Sequence, residues 1–184
     1  MPNWCENELT VQTQDDDKES TKQMKEFNKI LFKDIPEDDK YNPINGMMNQ
    51  FIPEPDELKD IHHGYITIEG KTYKQWIKKD GVPTPLDDPE SLMKKYGATN
   101  LYDWHVNNYG CKWDVEAEII DADDPQYTMM RFSSPWCPPI EFLEFLAEKF
   151  PKLHIRCKYE EEGQGFMGCA KGVGYIEDQC IETY

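Results

Sequence analysis

Apolar and polar residues first alternate between Glu8 and Gln14, with Leu9 and Val11 on one face and Glu8, Thr10 and Gln12 on the other. That period of two predicts a half-buried strand. The run QDDDKES ends it. From Ser20, read as an N-cap, Met24, Phe27 and Leu31 recur at helical spacing and predict an amphipathic helix of about three turns, stopped before Pro36. Alternation returns at Trp113: WDVEAEII and QYTMMRFS predict two strands joined by the polar turn DADDP. Ile140 to Phe150 carries a broad apolar stripe behind two prolines and predicts the second long helix. LHIRCKYEE then reads as a further strand, with GFMGCAKG and GYIEDQCIE as an appended pair.

The resulting order is strand, helix, insertion, strand, strand, helix, strand and a final hairpin. It predicts an α+β fold of the ferredoxin-like split β-α-β type, a mostly antiparallel sheet with two helices on one face, as a single domain over 1–184. The insertion, approximately 34–100, is too long for a plain loop. It reads as a hairpin in GYITIEGKTYKQW turning at Glu69-Gly70, a loop GVPTPLDDP and a short helix PESLMKKYG; a second short helix, NLYDWHVNNYG, follows and closes on Gly110. The adjacent His62 and His63 read as a solvated turn.

This strand order brings three unusual segments to one end of the sheet: PNWCEN before the first strand, NNYGCKWD before the second and SSPWCPP after the third. Each supplies a Trp and a Cys. The candidate binding cluster is Asn3, Trp4, Asn7, Asn107, Tyr109, Lys112, Trp113 and Trp136, with Trp4 and Cys5 expected to be buried. The competing structural reading is an aromatic cap on the core, in which Asn side chains satisfy loop backbone groups.

Composition bears on the choice of partner through charge. Of 184 residues, 36 are acidic and 20 are Lys or Arg, a formal net charge of −16. Residues 1–60 carry 15 acids and 7 bases, 61–112 carry 6 and 7, and 113–184 carry 15 and 6, so the ends are acidic and the middle neutral. Such a surface repels phosphate backbones and anionic lipid, which predicts no direct nucleic-acid binding and no membrane contact, and it attracts a basic protein. The candidate acidic surface is Asp15, Asp16, Asp17, Glu116, Glu118, Asp121, Asp123, Asp124, Glu160, Glu161 and Glu162. Base stacking on the sheet is disfavoured on the same ground, since the outward strand residues Glu8, Asp114, Glu116 and Glu118 are acidic and a basic frame is missing. No run of 18 apolar residues and no export signal is found, so the expected compartment is the cytoplasm and the six cysteines are expected to be reduced.

No catalytic motif stands out. A Walker loop, GxSxG, HExxH and a dinucleotide fingerprint are all absent, and GQGFMG lies between strand-like segments, where it reads as a turn. A thiol nucleophile would need a base such as His105 and an electropositive setting. Cys5, His105, Cys111 and Cys137 could supply four zinc ligands, but their spacing is non-local and small thiols also pack well among Trp rings. The expectation is therefore no catalytic residue, no metal and no cofactor.

The blocks MPNWCEN, NNYGCKWDV, FSSPWCPP, the Phe150-Pro151 pair and YEEEGQGFMG together resemble the YubB-like proteins, short plasmid- and phage-associated proteins with a ferredoxin-like domain. The resemblance covers residues 1–14 and about 104–170, with FIPEPDEL a weaker match. It implies the fold and a mobile-element origin but brings no activity. Family members often carry Trp-Gly-Thr at 109–111 and Ser at 137, so it lends no shared role to Cys111 or Cys137. Two readings of function follow. One is a non-enzymatic acidic interaction protein of a phage or plasmid that engages a basic, nucleic-acid-binding host defence protein by mimicking phosphate charge. The alternative is a small-ligand or enzymatic pocket at the junction of the three Trp-containing segments.

Overall fold

A computed structural model describes residues 3–14, 17–33, 35–36 and 39–182, with the backbone alone of His63. The ferredoxin-like core is β1 (Trp4–Gln12), α1 (Lys18–Leu31), β5 (Ala117–Asp121), β6 (Tyr127–Pro135), α6 (Ile140–Lys149) and β7 (His154–Glu161). Two more strands, β8 (Phe166–Gly172) and β9 (Glu177–Glu182), extend the sheet beyond β7. The order across it is β5-β6-β1-β7-β8-β9 and every neighbouring pair is antiparallel.

Alternation along these strands decides what faces what. In β1, Cys5, Asn7, Leu9 and Val11 are buried, as are Thr128, Met130, Phe132 and Ser134 in β6 and Ile155, Cys157, Tyr159 and Glu161 in β7. Those residues face the helices. Helix α1 begins earlier than its apolar spacing suggests, because Asp17 rather than Ser20 is the N-cap and accepts from the Glu19 amide at 2.9 Å. Ser20 lies inside the helix, buried, and its hydroxyl accepts from the Gln14 amide at 2.7 Å.

The insertion is partly core. Helix α2 (Met47–Phe51) buries Met47, Met48 and Phe51. The Phe51 ring meets Phe27, Phe142 and Phe150 with centroids 5.1, 5.8 and 6.4 Å away, tying the insertion to α1 and α6. Ile44 pairs with Ala117 and covers part of the β5 edge, so that edge is not left open. After α3 (Asp56–Lys59) comes a separate sheet of β2 (Ile61–Ile68), β3 (Lys71–Lys79) and β4 (Val82–Pro85), then α4 (Pro89–Tyr96) and α5 (Leu101–Tyr109).

The β2–β3 hairpin turns at Glu69-Gly70, both with positive φ (50° and 77°), as a two-residue loop requires. Two expectations are corrected here. The stretch GVPTPLDDP is not all loop, because Val82–Pro85 pairs along β3. Nor are His62 and His63 in a turn: both lie in β2, and the His62 ring stacks on Trp76 at 4.2 Å.

Candidate functional site

The three Trp-containing segments do meet, in two storeys. The lower storey is buried and polar. Asn7 points inward from β1, and its amide nitrogen donates to the Cys5 carbonyl (2.7 Å), the Ser134 hydroxyl (2.8 Å) and the Phe132 carbonyl (3.3 Å). Ser134 in turn donates to the Cys137 carbonyl at 2.7 Å. The Cys137 thiol reaches the Gly110 carbonyl at 3.2 Å and the Cys111 thiol the Trp113 carbonyl at 3.3 Å. These bonds satisfy the backbone groups of three chain segments that leave the sheet at one point.

The upper storey is aromatic and exposed. Trp4 is adjacent to inward-facing Cys5, so alternation sends it to the other side, and it retains 46% exposure. The expectation that Trp4 is buried is thus wrong, while that for Cys5, fully buried, is right. Trp113 stands edge-on to Trp4 with centroids 6.1 Å apart. The Lys112 ammonium lies 5.6, 5.9 and 6.0 Å from the rings of Tyr102, Trp113 and Trp136, within cation–π range of all three. Trp136 has φ of +73°, a region that costs a non-glycine residue on the order of 1 kcal/mol, and its amide donates to the Asn3 carbonyl at 3.0 Å.

Not all of the expected cluster belongs here. Tyr109 is fully buried; its hydroxyl donates to the Ile52 carbonyl at 2.9 Å and its ring stacks on His105 at 5.1 Å. His105 bridges the Lys112 carbonyl (Nδ1, 3.1 Å) and the Glu54 carboxylate (Nε2, 2.8 Å), which clips the insertion to α5. Asn107 is exposed on α5 and donates to the Gly97 carbonyl at 3.2 Å. The hollows at this end measure about 410 and 380 Å³ and are walled by Trp4, Glu6, Trp113, Glu116, Glu160 and Glu162; neither includes Asn107 or Lys112.

The thiols are poor nucleophiles. Burial pushes Cys5 and Cys111 up to about 12 and raises Cys137 as well. His105 is engaged by Glu54 and Lys112, and among the described residues no group of three or more His, Cys, Asp or Glu side chains is placed to hold a metal ion.

The candidate acids divide into two groups. Glu116, Glu160 and Glu162 are exposed at the tryptophan end, joined by Glu6. Asp17, Asp121, Asp123 and Asp124 lie at the far end, where Gln12 pairs with Tyr127, and β1 spans nine residues or roughly 30 Å between them. Glu118 is exposed on β5, opposite Arg131. Two of the expected acids are structural. Glu161 is buried and accepts from the Gly163 amide at 3.0 Å and from that of Gln164, closing a turn, while Asp17 caps α1. Asp15 and Asp16 lie outside the described residues.

Between the two acidic ends the open face carries four cations among the acids Glu8, Glu118 and Glu177, a group that the sequence reading did not foresee. Strand register places Arg131, Arg156, Lys158 and Lys171 there, from β6, β7 and β8. In the sequence, the outward positions Glu8, Glu116 and Glu118, before and along β1 and β5, are acidic. The alternation in TMMRFSS and HIRCKYEE already puts Arg131, Arg156 and Lys158 on polar positions; the register that aligns them is a tertiary fact.

Among the described residues, no helix is long and apolar enough to cross a membrane. No curated protein matches the chain. A crystal structure of protein Api92 from Yersinia pseudotuberculosis aligns over 100% of this chain and 99% of that one, at 12% identity and a TM-score of 0.46. Residues 108–183, which hold β5 to β9 and α6, match a family model described as the ferredoxin-like domain in Api92-like protein, in accord with the strand order seen here.

Proposed function

We propose that this is a non-enzymatic interaction protein, of the phage- and plasmid-borne YubB-like kind, that docks a basic protein through the tryptophan end of its sheet. The observation that carries this reading is the exposed set Trp4, Trp113 and Trp136, bordered by Glu6, Glu116, Glu160 and Glu162. Half-exposed Trp side chains on a rigid frame are the anchors from which interfaces draw most of their energy, and a carboxylate rim steers and selects a cationic partner. Trp136 is held in a strained backbone conformation, a cost that a docking role offsets. A nucleic-acid-binding host protein is a suitable partner, because its basic surface would be occupied by carboxylates in place of phosphates. The acids group at two ends, so the docking surface is the aromatic end rather than a continuous phosphate-like stripe.

The test is capture of basic proteins from host lysate by the wild type and by a Trp4→Ala/Trp113→Ala variant. Specific capture by the wild type, weakened by salt and lost in the variant, is the expected result. Capture that is indifferent to both salt and the two substitutions sinks the proposal.

A further inference from the structure

The open face of the sheet carries a feature that docking at the tryptophan end does not use. Arg131 and Arg156 are the only arginines in the chain, and both stand on this face. Two rows of side chains cross it. One runs Glu118, Arg131, Glu8, Lys158, Cys169, Gln179; the next runs Asp121, Met129, Thr10, Arg156, Lys171, Glu177.

In the first row the charges compensate. Glu8 accepts from Arg131 at 2.9 Å and lies 3.7 Å from the Lys158 ammonium. In the second, Arg156 and Lys171 are direct partners on adjacent strands; Glu177 stands opposite Lys171 on β9, yet among the described residues no carboxylate comes within 4 Å of either cation. Like charges directly opposite each other destabilise a sheet.

The pair sits in a hollow of about 570 Å³, whose wall includes Tyr127, His154 and Tyr175 and, beside the cations, the Glu8 and Glu177 carboxylates. The hollow runs into a second of about 640 Å³ through their shared residues Glu8, Arg156 and Lys158. A space of this size suits a ligand of nucleotide scale.

We propose that this hollow binds a small phosphorylated molecule with a planar ring, its anionic group held by Arg156 and Lys171 and its ring set against Tyr175 or Tyr127. Guanidinium and ammonium groups together recognise a phosphate by charge and by directed hydrogen bonds. The ligand is small because the basic strip is short. Glu6 and Glu160 close it at one end and the Asp121–Asp124 turn lies beyond the other, so each further phosphate of a polynucleotide would meet carboxylates.

The experiment is calorimetric titration of the full chain at about 50 mM salt with AMP, inorganic phosphate, adenosine and a single-stranded oligonucleotide of about ten bases. Expected are saturable one-site binding of AMP, competition by inorganic phosphate and at least about tenfold weaker binding of adenosine. An Arg156→Gln/Lys171→Gln variant, exposed at both positions and checked for an unchanged melting transition, loses about tenfold or more in AMP affinity. Absence of AMP binding up to about 10 mM, or equal binding by the double variant, overturns the proposal. So does an oligonucleotide that binds more tightly than AMP with a salt slope of several charges.

Discussion

Asn7 is nearly fully buried, and its amide hydrogens are shared among three oxygens from two strands. Asn7→Ala strips those acceptors inside the protein, so a loss of about 1–3 kcal/mol is expected in urea unfolding. Trp4→Ala, at a half-exposed ring, should cost far less stability while removing partner capture. The cysteines make a second residue-scale case. In the unfolded chain the thiols of Cys5 and Cys111 ionise near 9, whereas burial pushes them up to about 12 in the fold. Above pH 9 the unfolded chain therefore loses protons that the folded protein keeps, which favours unfolding, and stability should fall progressively between pH 9 and 12. Urea midpoints measured at pH 8 and pH 10.5 check the sign. Alkylation of the native protein at pH 8 should label exposed Cys180 well before Cys5, Cys111 or Cys157, as peptide mass mapping would show.

The elements of the insertion differ in what they contribute. Helix α2 completes the core between α1 and α6, so Phe51→Ala should cost about 3–5 kcal/mol in denaturant unfolding. Tyr65 in the outlying three-stranded sheet is 80% exposed, and Tyr65→Ala should stay within about 0.5 kcal/mol. Gly110 joins α5 to the tryptophan end at φ +79°, and an added Cβ would meet the Glu141 side chain at 1.9 Å and its backbone nitrogen at 3.1 Å. Gly110→Ala should therefore destabilise by roughly 1–2 kcal/mol, the cost of a left-handed conformation plus displacement of Glu141.

Over the whole molecule the charge is segregated, with carboxylates at both ends of the sheet and cations across its middle. That arrangement allows an acidic protein to attract a basic partner at one place and a small anion at another. Glu8 sets the balance on the open face by holding Arg131 and Lys158, and the Arg131 guanidinium keeps its carboxyl below the usual carboxylate range. Glu8→Gln removes the one carboxylate that both cations contact among the described residues. A unit charge about 7 Å away in water is worth about 0.6 kcal/mol, so AMP affinity should rise about threefold, with the gain shrinking as salt is added.

Periodicity was enough to locate β1, β6, β7, β8, β9, both long helices and the β2–β3 hairpin, because one buried face imposes a period of 2 or 3.6 on local sequence. Chain order was enough to bring Trp4, Trp113 and Trp136 together. It could not say that Trp4 points outward while Asn7 and Tyr109 are buried, since at a strand start one residue of phase exchanges core for solvent. Nor could composition reveal the basic strip: Arg131, Arg156, Lys158 and Lys171 lie on three strands up to 40 residues apart, and a net charge of −16 hides them. Their meeting is decided by strand register, which depends on how α1, α2 and α6 close the core from the other side of the sheet and on the appended strands extending that sheet.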